Sequence, residues 1–407
     1  MAGTRTAAPA KPSAKPDASE DRLLSVDAYR GFVMLALAAE GFGIAKTARN
    51  FPDSKFWQTL GSQFEHVPWV GCAFWDLIQP SFMFLVGVAV PWSLANRQKR
   101  GESRFWSAGH AVLRSVLLIL LGIFLMSDGR PETNYTFVNV LSQIGLGYFF
   151  LYVLTHFPIW TRGTAVALIL VGYWAWFAFS PLPPPNTNLQ ALGVPPNWPE
   201  LLTGFEAHWQ KNANPAAEFD YWFLNQFPRS EPYRFNSGGY QTLNFIPSLA
   251  TMLLGSIVGT FLQARPPAAI VLARLAGMGV IGLLIGYGLD VVGLCPLVKR
   301  IWTPSWVLFS TGWCLLILAA FYGLIDGLKW RWWAFPLLIA GMNSIVLYLC
   351  SQLLPEWTAQ TLRTHFGQNV FAMFGTASVP LVEANLVMLA FWLFVWWLAR
   401  QKIFVRI

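Results

Sequence analysis

Charge is scarce in this chain. Of its 407 residues only 12% are charged, against 55% hydrophobic, whereas a soluble domain carries about 25% charged residues. With a mean hydropathy of +0.45, so little charge cannot cover an ordinary soluble core. Cysteine is sparse too. Cys72, Cys295, Cys314 and Cys350 are scattered without Cys-x-x-Cys spacing, which argues against a disulfide framework or a thiolate metal site, and no metal is expected. Three of them sit in or beside apolar runs and read as small apolar side chains. No internal repeat is visible, which weakens a secondary transporter built from paired, Gly/Pro-broken helices. Residues 1–21, rich in Ala, Pro, Lys and Ser, lack the apolar block of a signal peptide and read as a disordered tail ahead of a membrane domain over 22–407.

Long apolar runs and aromatic rings are plentiful, with 21 Trp and 32 Phe suited to lipid and headgroup contact. A helix needs about 20 apolar residues to cross roughly 30 Å of hydrocarbon. About ten runs qualify, near 26–47, 74–95, 109–126, 137–155, 163–181, 242–263, 268–290, 305–325, 334–354 and 382–399. The expected fold is therefore all-α, a polytopic integral membrane protein.

Placing the N-terminus inside puts the tail, Arg97-Gln98-Lys99-Arg100, Arg162, Arg265, Lys329/Arg331 and Arg400/Lys402/Arg406 on one side. Cytoplasmic loops are basic in this way, so both termini are expected in the cytosol. The formal charge of +8 reads as topology and contact with the lipid bilayer, with no nucleic-acid partner implied. The opposite side carries the His66 connection and two excursions, about 182–241 and 355–381. The first holds Glu206, His208-Trp209 and Asp220-Tyr221-Trp222. Such content suits either sugar stacking or interfacial anchoring.

Ionisable residues at a membrane boundary need a reason. His66 and Asp76 flank the start of the run that continues through Leu77 to Val90, and His is the side chain best able to move a proton near neutral pH. Asp27 and Arg30, three residues apart, share a helix face and can pair, to pin the helix or to hold a ligand. Glu40, thirteen residues beyond Asp27, lies about 20 Å along the axis, on the side of His66. Of the other histidines only His208 is a candidate ligand.

The motifs that contain these residues carry a resemblance. Arg22-Leu23-x-Ser25-x-Asp27-x-x-Arg30-Gly31, His66-x-x-Trp69-x-Gly71 and Asp76-Leu77-Ile78-x-Pro80-x-Phe82-x-Phe84-x-x-Gly87 are followed by Val140-Leu141-Ser142-Gln143-Ile144-Gly145 and Leu253-Leu254-Gly255-Ser256-Ile257-Val258-Gly259. Gly341-Met342-Asn343-Ser344-Ile345 and Lys402-Ile403-Phe404 complete the series. In this order they resemble the heparan-α-glucosaminide N-acetyltransferase family of membrane acyltransferases, over nearly the whole chain after residue 21.

The resemblance implies an enzyme that takes acetyl from cytosolic acetyl-CoA and delivers it to an amino-sugar or glycan on the far side, with the catalytic His mapping onto His66. His66 would act as general base or as acetyl carrier, oriented by Asp76. Arg30 with Asp27, and Gln143, are the expected donor contacts, with Arg97, Lys99, Arg100 and Arg104 near the CoA phosphates. Glu40, Trp69, Asn343 and Ser344 are the expected acceptor-side contacts. Asn343 and Ser344 are candidates for oxyanion donors or for interhelical hydrogen bonds. Two departures stand out: Ala39-Glu40-Gly41 where the family often has Asn, and Ser142-Gln143 where it commonly has Gln-Arg. The expected setting is multi-pass, in a bacterial inner membrane. Oligomeric state is open, a homodimer among the options. A carrier for a small sugar or anion, without acyl chemistry, and a lipid-anchoring protein are the competing readings.

Overall fold

A computed structural model describes residues 23–405, so the tail expected over 1–21 lies outside the described residues. The chain is all-helical there, with α1 Leu24–Ala38, α2 Ile44–Ala48, α3 Lys55–Gln63, α4 Ile78–Lys99, α5 Arg104–Ser127, α6 Val140–Thr155, α7 Ile159–Ala178 and α8 Pro215–Leu224. Then come α9 Phe245–Gln263, α10 Ala268–Val291, α11 Pro304–Tyr322, α12 Phe335–Met342, α13 Ser344–Leu353, α14 Pro355–Phe366, α15 Gln368–Phe371 and α16 Val379–Arg400. Each apolar run coincides with a helix or a bent helix pair. Six described helices are long and apolar enough to cross a membrane, and up to eight if each of two bent pairs counts as one span. The other two runs are α6, which is short, and α7, diluted by Trp160, Arg162, Tyr173, Trp174 and Trp176.

Both bends have local causes. Between α1 and α2 the chain turns by 56° through Glu40, Gly41, Phe42 and Gly43, all at positive φ, a conformation that ends a right-handed helix. Between α12 and α13 the 74° bend falls at Asn343, whose backbone leaves the helical region.

Small residues let the central helices approach closely, the usual device where lipid removes the hydrophobic drive for helix association. A Cβ at Gly87 of α4 would lie 1.9 Å from the Met252 carbonyl oxygen of α9, and one at Gly255 2.2 Å from that of Phe84. Gly341 of α12 sits equally tightly on the Asp27 carbonyl of α1. The motif glycines are thus packing residues. α4 lies inside, with Met83, Phe84 and Val88 fully buried. α5 and α10 are peripheral, only 22% and 17% of their most apolar stretches being covered by protein.

Ser25 at the start of α1 donates its backbone N–H to Asp326 beyond the end of α11 (3.1 Å), and Asn343 holds the backbone of the tail after α16. These contacts gather the basic segments at one end. α4 runs from His66 and Asp76 at the other end to Arg97 and Arg100 at this one.

Candidate active site

Asp76 occupies a 3-10 turn, Phe74–Leu77, that leads into α4. Its carboxylate is 1% exposed, and every oxygen is used. Oδ2 accepts the backbone N–H groups of Ala73 (3.1 Å) and Val67 (3.2 Å), the first being the reach-back of an acidic residue to the start of its own helical turn. Oδ1 accepts from His66 Nδ1 at 2.7 Å and from Lys299 Nζ at 3.3 Å. With Nδ1–H directed at the carboxylate, the lone pair of the imidazole is on Nε2, on the ring's outer edge; 38% of the His66 side chain is exposed. A carboxylate on one ring nitrogen fixes the tautomer and orients the other.

The loops around this pair are tied together. Both backbone polar groups of Val67 are held, since its carbonyl accepts from Arg300 (3.2 Å). Val70 pairs with Val298 in an isolated antiparallel bridge, Gly71 N–H donates to the Leu297 carbonyl (2.9 Å), and Val70 N–H to Glu200 (2.7 Å). Thr303, the N-cap of α11, accepts the Val298 N–H at 3.0 Å and so fixes the turn that presents Lys299.

Burial lowers the pKa of His66, and the charges of Lys299 and Arg300 push the same way, against the opposing pull of Asp76. The ring is therefore held neutral, ready to accept a proton. Cys72, between the two residues in sequence, is no competing nucleophile: burial, aided by Asp76, pushes its thiol up to about 12.

At the basic end lies a cavity of about 620 Å³ lined by Asp27, Arg30, Arg100, Arg114, Tyr148 and Ser344, among others, and reaching Phe82 on α4. Its size is that of a ligand site. Arg114 donates to Tyr148 Oη (3.2 Å) and lies over its ring, with Nε buried and unpartnered. Asp27 and Arg30 are ion-paired at 3.3 Å. Neither His66 nor Asp76 lines this cavity; Asp76, in the turn before α4, lies six positions ahead of Phe82, about 9 Å along the axis.

Other candidates fall elsewhere. Trp69 is fully buried, its indole N–H on the Trp209 carbonyl (3.1 Å), so it seats the loop and presents no face to an acceptor. Asn343 spends its amide on the backbone of Ile403 and Val405. With Ser344 it sits at the cavity end, so these two cannot supply an oxyanion hole beside His66. Gln143 is buried, its Nε2 donating to the Phe137 and Thr242 carbonyls, a strut that does not line the cavity. Glu40 is exposed and paired with Lys46; neighbouring Gly41 packs on Phe64 and Trp75, which keeps it at the His66 end. His208 is wedged against Phe205 and Trp209. Among the described residues no cluster of three His, Cys, Asp or Glu is arranged for a metal ion.

Lys299 and Glu200 were not foreseen. A signal for Lys299 existed: Lys299-Arg300 is a basic pair between two apolar runs on the side that the positive-inside bias leaves poor in Lys and Arg.

Comparison with known proteins bears on this arrangement. Heparan-alpha-glucosaminide N-acetyltransferase of Homo sapiens is 24% identical over 402 aligned positions, covering 86% of this chain and 57% of that protein. The protein of the same name from Mus musculus is also 24% identical, over 87% of this chain and 58% of its own length. The chain is similar, at a distance, to these heparan-alpha-glucosaminide N-acetyltransferases. It spans less than three-fifths of the length of these acetyltransferases. No protein-family model matches it.

Proposed function

We propose that the chain is a transmembrane acetyltransferase, taking acetyl from acetyl-CoA at its basic, cytosolic end and delivering it to an amino-sugar or glycan at the His66 end. The observation that carries this reading is the His66–Asp76 pair, a neutral imidazole oriented by a buried carboxylate that is itself held by two backbone N–H groups. Such an arrangement performs general acid–base catalysis when a nucleophile approaches the free nitrogen. The names of the two relatives supply the reaction class.

His66 Nε2 accepts the proton of the acceptor amine as its nitrogen bonds to the acetyl carbonyl carbon. As the tetrahedral adduct collapses and the C–S bond breaks, the imidazolium returns that proton to the departing thiolate. The products are the N-acetyl sugar and CoA thiol. Asp76 stabilises the transient imidazolium. In the alternative course, Nε2 itself takes the acetyl group and passes it to the amine. The arginine-lined cavity suits the anionic phosphates of the donor, Arg100 and Arg114 being its forked donors; among the described residues Asp27, paired with Arg30, is the one carboxylate that lines it.

The test is binding and turnover of radiolabelled acetyl-CoA by purified protein in detergent, with glucosamine as acceptor, wild type beside His66→Ala. Transfer lost in the variant while donor binding persists supports the reading. A folded wild type that neither binds nor transfers acetyl would move the choice to a carrier of a small sugar or anion.

A further inference from the structure

The Asp76 carboxylate meets a second charged partner besides His66. Lys299 Nζ lies 3.3 Å from Asp76 Oδ1 and 3.2 Å from His66 Nδ1, with only 4% of its side chain exposed. A buried ion pair is a weak source of stability, because desolvation offsets most of the attraction. A lysine kept only to neutralise Asp76 would also have no need to stand against the ring. Much of the neighbouring backbone is committed to placing it. Leu297 N–H is fixed by Asp290 (2.7 Å), Val298 N–H by Thr303, and Val298 is bridged to Val70 of the His66 loop.

The charges facing His66 come from two elements. Asp76 belongs to the turn before α4, and Lys299 and Arg300 to the loop before α11. On its own loop Glu65 is turned to Arg49. In a simple histidine–carboxylate pair the negative charge makes the imidazolium comfortable, and the ring tends to keep the proton it accepts. Here an ammonium shares the same oxygen. Protonation of the ring places two cations about a hydrogen-bond length apart around one carboxylate, which favours rapid return of the proton.

We propose that Lys299 is the positioning residue of this site: it holds Asp76 Oδ1 in the plane shared with His66 and opposes lasting protonation of the ring, so that His66 gives up a proton as readily as it takes one. This rests on the reading of His66 as the base, but it concerns the ring alone and is measurable without turnover.

The experiment is carbethoxylation of His66 by diethyl pyrocarbonate, which acylates the imidazole in its neutral and not its protonated form, followed by peptide mass spectrometry on the full-length protein from pH 5 to 8. In wild type the midpoint for His66 falls below the ordinary 6.5. Lys299→Met raises it by roughly one unit, the scale of a lost neighbouring charge, and Lys299→Arg leaves it low. Lys299→Gln, which keeps a donor toward Asp76 without the charge, moves it as Met does and serves if Lys299→Met does not fold. A wild-type midpoint above 6.5, or the same midpoint in a folded Lys299→Met or Lys299→Gln protein, overturns the proposal. A shifted midpoint in a protein that transfers no acetyl retains Lys299 and removes the acetyltransferase reading. Acetyl transfer with an unmoved midpoint does the reverse.

Discussion

The two ends of α4 differ in how they are built. At the His66 end the polar groups are few and held at fixed distances by backbone donors and by a loop capped at Thr303. At the Arg100 end a roomy cavity is lined by long cationic side chains. The first suits a step in which geometry sets the rate. The second suits binding of an anion whose phosphates can be met in several ways, since Arg offers several donors on a flexible stem. Under the proposed function, the chemistry is thus separated within one bundle from the part of the site that supplies affinity.

Substitutions at the two ends are expected to differ in kind. Asp76→Asn keeps the shape of the turn but loses the charge that orients and stabilises His66, and should lower kcat by about 10²–10⁴-fold with little change in donor affinity. An Asp76→Asn protein with near-normal kcat would erase the distinction. Arg114→Ala and Arg100→Ala should each weaken donor binding by roughly 10-fold, the loss of one charge-assisted contact, with kcat little altered at saturating donor. Isothermal titration with CoA beside steady-state kinetics separates the two classes.

The pH response sharpens the contrast. His66 must be neutral to act as base, and its pKa is depressed, so the acid limb of kcat/KM should lie below pH 6.5. The same shift bears on stability. An unfolded chain binds a proton at His66 more readily than the folded one, so this contribution is present above 6.5 and lost as pH falls through that region. Asp220, fully buried in the outer excursion with Oδ2 on the Thr242 N–H, is pushed by burial up to about 7. Its folded-state pKa is raised, so the sign is opposite: its contribution declines as pH rises from about 4 toward 7. Asp220→Asn should therefore raise the unfolding midpoint at pH 8 relative to wild type and leave it nearly unchanged at pH 4, as read by thermal unfolding in detergent.

A smaller effect is expected from Trp69→Phe. It strips the indole N–H from the Trp209 carbonyl and should destabilise the protein by about 1–3 kcal/mol. Because Trp69 is fully buried and seats the loop, the KM for the acceptor should stay within about 2-fold of wild type. A large rise in KM at unchanged stability would return Trp69 to the acceptor site.

The helical architecture was legible from apolar run length alone, because in lipid a spanning segment must satisfy its own backbone. Bends were not, since they depend on single residues, left-handed Glu40 and Phe42 in one and non-helical Asn343 in the other, inside runs that read as continuous. The pairing of His66 with Asp76 was foreseen because both belong to one short segment. Lys299 was not, because it reaches the pair from 223 residues away in sequence, a distance that only the folded chain closes. Asn343 and Trp69 read as ligand contacts from their motifs; the fold gives each a backbone partner instead, a use that local sequence does not reveal.

The division of labour between the two ends is tested most directly by reconstituting the protein in vesicles with radiolabelled acetyl-CoA on the side of the basic loops and glucosamine only on the other. Labelled N-acetylglucosamine should accumulate on the glucosamine side, with none formed by His66→Ala. Transfer only when both substrates share one side, or equal transfer by His66→Ala, would contradict it.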